Sequence, residues 1–413
     1  MRMQHSQNGA RKRVLILELS VNGHHPTYVR RLLESEIPQF ADIILASRKE
    51  LFSHPEIRSF SDRFLAHEIK PAPSAAALHK DFSAASLISS SWRIGKLYRQ
   101  TYRELSKTMD IEFIIVPFLD DCLLGLALPT APFGGKPWLA VTMRAMFHFR
   151  RMGIIAPRQR LNALRQRLFS RILHQRSTVA ILTIDPTLAK FAREQRKPGY
   201  GKIEYLPDPA VRHEALPSKT DARRRLNIPG QARVVLLYGE IAARKGVISL
   251  LESAADPTCS AELHVLLAGR HEHAPLMMNN PAYISLLAQH RVHRVDGFLD
   301  DDGERTVLAA TDCMWVGYAN FYLMSGIMVL SGRHGIPVIA TSNGLIGYWT
   351  TEKNIGIAVD VSNRSCVVAA LNQLVFEPEL FARMGENGIE AFSEHRPAAL
   401  QQLVIEKLRE YGF

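Results

Sequence analysis

The chain has 413 residues, 46% of them hydrophobic and 22% charged, with four cysteines and a formal net charge of +11. That length is about twice one compact domain and predicts two domains of roughly 200 residues each, while the composition excludes a disordered chain or a disulfide scaffold. No apolar run approaches the roughly 20 residues that a membrane span needs, so no transmembrane helix is predicted.

Residues 1–13 are basic, lack a signal-like apolar stretch and read as a frayed tail or partly a tag. Short β-branched runs then alternate with helical patterns, the grammar of parallel sheets covered by helices on both faces. In the first half, strands are expected at 14–19, 43–46, 64–68, 113–116, 138–142, 180–183 and 203–206. Helices are expected at 25–36, 92–107, 158–175 and 186–194. Residues 71–91, rich in Ala, Ser and Pro, are expected to form a long mobile loop. A break at Pro207-Asp208-Pro209 sets a boundary between an N-terminal domain, 1–208, and a C-terminal domain, 209–395, with the final helix, 396–413, returning to the first. The second half repeats the α/β alternation through segments at 234–238, 246–253, 263–268, 292–298, 313–317, 337–341 and 357–360. A helix opens at Ser325, and helices at 377–394 and 397–411 close the chain. Cys122, Cys259, Cys313 and Cys366 are far apart without CxxC spacing, which suits reduced thiols in the cytoplasm.

Several patterns occur in a telling order. They are Tyr238-Gly239-Glu240-Ile241-Ala242-Ala243-Arg244-Lys245-Gly246, Leu266-Leu267-Ala268-Gly269, Asp296-Gly297-Phe298 and His334-Gly335-Ile336-Pro337-Val338-Ile339-Ala340-Thr341. With the loop Ser20-Val21-Asn22-Gly23-His24-His25 and the boundary Tyr205-Leu206-Pro207-Asp208-Pro209, this series resembles glycosyltransferase family 4. The resemblance implies a GT-B fold, two Rossmann-like domains with a cleft between them, and transfer of a hexose from a nucleotide-diphosphate sugar with retention. It implies a donor set of Gly23, Gly239, Glu240, Gly269, Tyr322, Ser325, Gly326 and Ile327. The family's Glu-x7-Glu motif falls on Tyr322 and Leu330, so both carboxylates are missing; Glu240 stands where the family has arginine, and Arg144 on or beside its first-domain histidine.

The residue chemistry points the same way. A diphosphate needs concentrated positive potential and backbone donors, and a helix N-terminus supplies both. Ser325 is expected as an N-cap, with Gly326 allowing close approach of phosphate; the plain alternative is an ordinary capped helix. Lys245 and Arg244 follow a strand's carboxyl end, where open α/β sheets bind ligands, and a cation there stabilises the departing phosphate. A surface Lys-Gly pair is the plain alternative. Lys245, Arg244, Asp121 and His25 are the catalytic candidates, and Arg144, Asp120 and His24 the acceptor-binding ones. His24, His25, Asp120 and Asp121 each have a solvated alternative, and Arg144 suits an anionic acceptor or the donor phosphate. No HxxH or HExxH spacing suggests a metal, and no cofactor beyond the donor substrate is expected.

Charge is concentrated in one place. Between Asp121 and Asp185 no carboxylate occurs, while Lys136, Arg144, Arg150, Arg151, Arg158, Arg160, Arg165, Arg167, Arg171 and Arg176 contribute ten positive charges. Leu161, Leu164, Leu168 and Ile172 share a helical face opposite many of these arginines. The pattern reads as an anionic membrane surface on the inner face of the plasma membrane, a plain domain helix, or another anionic acceptor. Nucleic acid is not expected, because no binding module accompanies the charge. The leading reading is a hexosyltransferase acting on a glycan, glycolipid or small-molecule acceptor, in cell-envelope or exopolysaccharide synthesis. The second is a non-catalytic GT-B relative acting as partner or regulator, and the third a related sugar-nucleotide epimerisation or hydrolysis.

Overall fold

The computed structural model describes residues 11–70, 84–157, 161–271 and 277–413. The chain divides into two compact units, one of Met1–His148, Arg158–Pro207 and Pro397–Phe413, the other of Phe149–Pro157 and Asp208–Arg396.

The first unit is built on β1 (Arg13–Leu17), β2 (Asp42–Ser47), β3 (Leu65–Glu68), β4 (Phe113–Val116), β5 (Trp138–Thr142), β6 (Thr178–Thr183) and β7 (Ile203–Tyr205). They form one parallel sheet in the order β3-β2-β1-β4-β5-β6-β7. In β1, Leu15 pairs with Ile44 of β2 on one side and Ile114 of β4 on the other. Val14, Leu15, Ile16 and Leu17 are fully buried, because helices cover both faces; central strands therefore read as unbroken apolar runs rather than alternating ones. The closing helix Ala398–Glu410 belongs to this unit, where Gln401 Nε2 donates to the Arg31 carbonyl (3.0 Å) and Lys407 pairs with Glu204 (2.9 Å).

The second unit holds β8 (Arg233–Tyr238), β9 (Leu263–Gly269), β10 (Val292–Asp296), β11 (Cys313–Val316), β12 (Val338–Thr341) and β13 (Gly356–Val359), all parallel, in the order β10-β9-β8-β11-β12-β13. In each sheet the order reverses at one place, between β1 and β4 and between β8 and β11. At such a switch point the connections leave to opposite faces and open a crevice beyond the strands' carboxyl ends. Both candidate sites lie there.

Several expectations need correction. Residues 84–91 are not part of a loop: a helix runs Ala84–Leu105, its buried Ile94, Tyr98, Tyr102 and Leu105 turned into the unit, and it packs closely on the helix Leu123–Ala127, Gly95 against Gly125. Residues 71–83 of the expected loop, and 158–160 of the expected basic helix, lie outside the described residues; that helix spans Asn162–His174. The first helix stops at Glu34, where Ser35 Oγ accepts from the Ile37 N–H and a short turn, Ile37–Phe40, begins. The polar stretch after Pro217 starts the helix Lys219–Arg225, capped by Ser218. No described helix is long and apolar enough to cross a membrane.

Candidate functional site

The loop after β8 turns sharply at Gly239 (φ +91°) and again at Gly246 (φ +70°), which begins the helix Val247–Ala254. The turn folds Lys245 back under the strand end, where its Nζ donates to the Tyr238 carbonyl (2.5 Å). Lys245 is buried. Burial first, and repulsion from Arg244 second, pull its ammonium from the usual 10.5 down to about 8. A side chain at position 239 would bring its Cβ within 2.9 Å of Lys245 Nζ and 3.9 Å of Ile327 Cδ1, so only glycine leaves these two groups side by side. From β11 comes Tyr318, whose ring centre lies 5.9 Å from Lys245 Nζ. The Ser325 hydroxyl donates to the Tyr318 hydroxyl (3.3 Å), and burial pushes that phenol up to about 12. The loops after β8 and β11 thus bring Lys245, Gly239, Tyr318, Ser325 and Ile327 to one spot. There the helix Gly326–Arg333 starts and its first N–H groups lack intrahelical partners.

Ser325 occupies the N-cap position but does not cap with its side chain, which is turned to Tyr318 instead. Glu240 pairs with Arg244 across 3.0 Å, which points the exposed Arg244 head at its own loop. The Tyr322 carbonyl accepts from the Leu345 N–H (2.9 Å) in the first turn of the helix Gly344–Glu352. Gly269 ends β9 at φ +129°, and a Cβ there would collide with the Gly239 carbonyl. Gly269→Ala is therefore expected to destabilise the chain by about 2 kcal/mol or more, read as a lowered urea midpoint at unchanged slope; an unchanged midpoint would show that the strand ends are not locked together.

The first unit has its own cluster at the ends of β1 and β4. Glu18 follows β1 and is buried, with Oε1 accepting from the Ser20 N–H (2.8 Å) and Oε2 unpartnered among the described residues. His25, also buried, stacks on Phe118 with ring centres 3.7 Å apart. Its Nδ1 lies 2.9 Å from Glu18 Oε1, off the line of a hydrogen bond, and its Nε2 lies 3.9 Å from Asp121 Oδ2. Asp121 pairs with Arg144 (3.0 Å). Burial nevertheless raises the Asp121 carboxyl above its usual value, Arg144 and His25 opposing the rise. Arg144 in turn covers the Phe118 ring at 5.3 Å. Tyr98 is packed nearby, its phenol held well above the usual value by burial first and by Glu18 second.

Asp120 is differently placed: its oxygens accept from Thr142 Oγ1 (2.9 Å), the Met143 N–H (2.7 Å) and the Arg144 N–H (3.2 Å), tying down the end of β5. Gly23 takes φ +62° in an exposed turn, and His24 is exposed at the head of the helix His25–Glu34. Sequence reasoning missed Glu18, Tyr98 and Tyr318. A carboxylate closing the apolar run Val14–Leu17 was the available signal for the first; nothing in spacing singles out the two tyrosines.

No family model matches the chain. The lipopolysaccharide core biosynthesis glycosyltransferase LpsE of Rhizobium meliloti (strain 1021) is 27% identical over 168 residues, 41% of this chain. The match spans about half (47%) of that relative's length. Among solved structures, sucrose-phosphate synthase from Thermosynechococcus elongatus superposes with a TM-score of 0.67 at 15% identity, over 97% of this chain and 99% of that one. Anabaena HepE, solved in complex with UDP, gives 0.64 at 12% identity over 96% and 100%. WaaG, a glycosyltransferase involved in lipopolysaccharide biosynthesis, gives 0.59 at 14% identity over 95% and 98%. The fold is GT-B. In GT-B terms the first unit is the N-terminal Rossmann-like sheet and the second the C-terminal one, each with its cluster at the switch point.

Proposed function

We propose that this chain is a nucleotide-sugar-dependent glycosyltransferase. It moves a hexose from a nucleoside diphosphate onto an acceptor hydroxyl, with retention, in the assembly of a cell-envelope glycan, exopolysaccharide or glycolipid. The observation that carries the reading is the meeting, within the second unit, of Lys245 Nζ and the helix start at Ser325–Gly326 around Gly239. A buried ammonium whose charge is disfavoured is primed to receive an anion, and free N–H groups at a helix start add fixed positive potential. As the sugar departs, negative charge grows on the diphosphate oxygen, and a preplaced cation stabilises that state more than the bound substrate. Gly269, at the end of β9, borders the same strand ends. The UDP held by HepE is the donor nucleotide this reading takes first.

The acceptor hydroxyl is assigned to the first unit, hydrogen-bonded to Asp121 with His25 and Arg144 fixing that carboxylate. Retention rests on the family 4 resemblance, the departing phosphate guiding attack from the same face and taking the hydroxyl proton. The proposal sets the reaction in the reducing cytoplasm, which the four unbridged cysteines suit, with the arginine-rich segment turned to an anionic membrane surface. Titration calorimetry with UDP, GDP, ADP and TDP tests it: one of them is expected to bind, and to bind at least tenfold more weakly to Lys245→Ala. Silence from all four sinks the reading.

One observation favours a non-catalytic role, namely Tyr322 and Leu330 at the positions of the missing carboxylates. Consumption of a nucleotide sugar with lysate glycans as acceptor, lost in Lys245→Ala, excludes that reading; nucleotide binding without any product supports it.

A further inference from the structure

A cavity of about 180 Å³ opens in the first unit, with Asp121 and Arg144 at one end. Three helices wall it: Ala84–Leu105 contributes Ile88 and Ile94, Leu123–Ala127 contributes Leu124, and Asn162–His174 contributes Leu164 and Leu168. The apolar stripe of the basic helix is thus divided. Ile172 and Leu173 are buried in the unit, whereas Leu164, Leu168 and Phe169 line the cavity, Leu164 being 39% exposed. Ile88 opposite is likewise 37% exposed. Hydrocarbon walls meet polar groups here, Asp121 with its partner Arg144, Asp120, Arg165, Ser90 and Ser91, so the site combines apolar wall with charged and hydroxyl groups.

The geometry points to an amphiphilic acceptor, whose hydroxyl is held at Asp121 and whose hydrocarbon portion fills this cavity. The inference rests on the acceptor reading above and narrows it. A purely polar glycan would leave the leucine and isoleucine walls in water, while a hydrocarbon group of about the size of benzene matches the volume, since a cavity of roughly 150 Å³ takes benzene. Asp121 belongs both to this lining and to the cluster with His25 at the switch point, so one carboxylate joins the occupant's hydroxyl to its apolar body. Arg144 is held by Asp121 and packed on Phe118, and therefore frames the polar end.

Calorimetric titration of the full chain with methyl, butyl, hexyl and octyl β-glucosides, each below its micelle concentration, tests the assignment. Affinity is expected to rise about fourfold per added methylene and to level off at hexyl, when the cavity is full. Leu168→Asn and the more exposed Leu164→Asn flatten the rise while leaving nucleotide binding as in the unaltered chain. Equal or absent binding along the series overturns the proposal, and so does an undiminished slope in both variants. A rise that continues through octyl, or that needs phosphatidylglycerol vesicles, assigns the apolar wall to a membrane surface and overturns it too. A sound chain-length profile beside silent nucleotide titrations leaves the pocket standing and removes the transferase reading, so the two failures are distinct.

Discussion

Lys245→Met is expected to lower turnover of the nucleotide sugar by about 10²–10³, with the fold retained, since methionine keeps the buried stem and removes only the charge. The variant leaves the Tyr238 carbonyl without the donor that Lys245 Nζ gives it, so a modest loss of stability accompanies the loss of activity. The two effects separate by pH. Lys245 titrates at about 8 in the folded chain against the usual 10.5. Below about 8 both folded and unfolded chains carry the proton and the folded state bears the whole burial cost. Between about 8 and 10.5 the unfolded chain keeps the proton that the folded one sheds, so stability rises with pH through that window. The methionine variant lacks this rise. A bound diphosphate reverses the preference, so nucleotide affinity falls above about pH 8 with uptake of one proton, measured as a buffer-dependent binding enthalpy. A pH-independent affinity, or a methionine variant as active as the unaltered chain, removes Lys245 from the phosphate site.

The sheets were legible because parallel strands buried on both faces leave continuous apolar runs, as Val14–Leu17 and Val234–Leu237 do, and because each run is followed by a helical pattern. Helix starts were less legible. The Ala- and Ser-rich stretch before Trp92 has the composition of a loop, and only the anchoring of Ile94 and Tyr98 further along settles it as helix. Gly344–Glu352 is apolar nearly all round, and a periodicity argument has no contrast to work with there. At the site, Lys245 was legible from its place after a strand end, but its burial was not, since that depends on the loop folding back at Gly239 and Gly246. Glu18 shows the opposite failure. A carboxylate at the end of a strand normally faces water, and its burial arises from His25 and Tyr98, neither of which is near it in spacing that a sequence displays.

The acceptor side is where the chemistry divides most sharply between two roles. Asp121→Ala is expected to reduce transfer by about 10², because the hydroxyl loses the partner that aligns it, while nucleotide binding in the second unit is unchanged. Asp121→Asn keeps an accepting oxygen and is expected to stay within about tenfold of the unaltered chain. That tolerance is what the proposed retaining transfer requires, since there the leaving phosphate would take the proton and Asp121 would only orient the hydroxyl. If the asparagine variant is as inactive as the alanine one, the carboxylate is the proton acceptor. The rate should then fall on acidification through a group titrating above the ordinary aspartate value, as the burial of Asp121 dictates. Product stereochemistry decides alongside: an inverted anomeric centre, together with a dead asparagine variant, replaces phosphate-guided attack by base catalysis from Asp121, with His25 and Arg144 setting its charge.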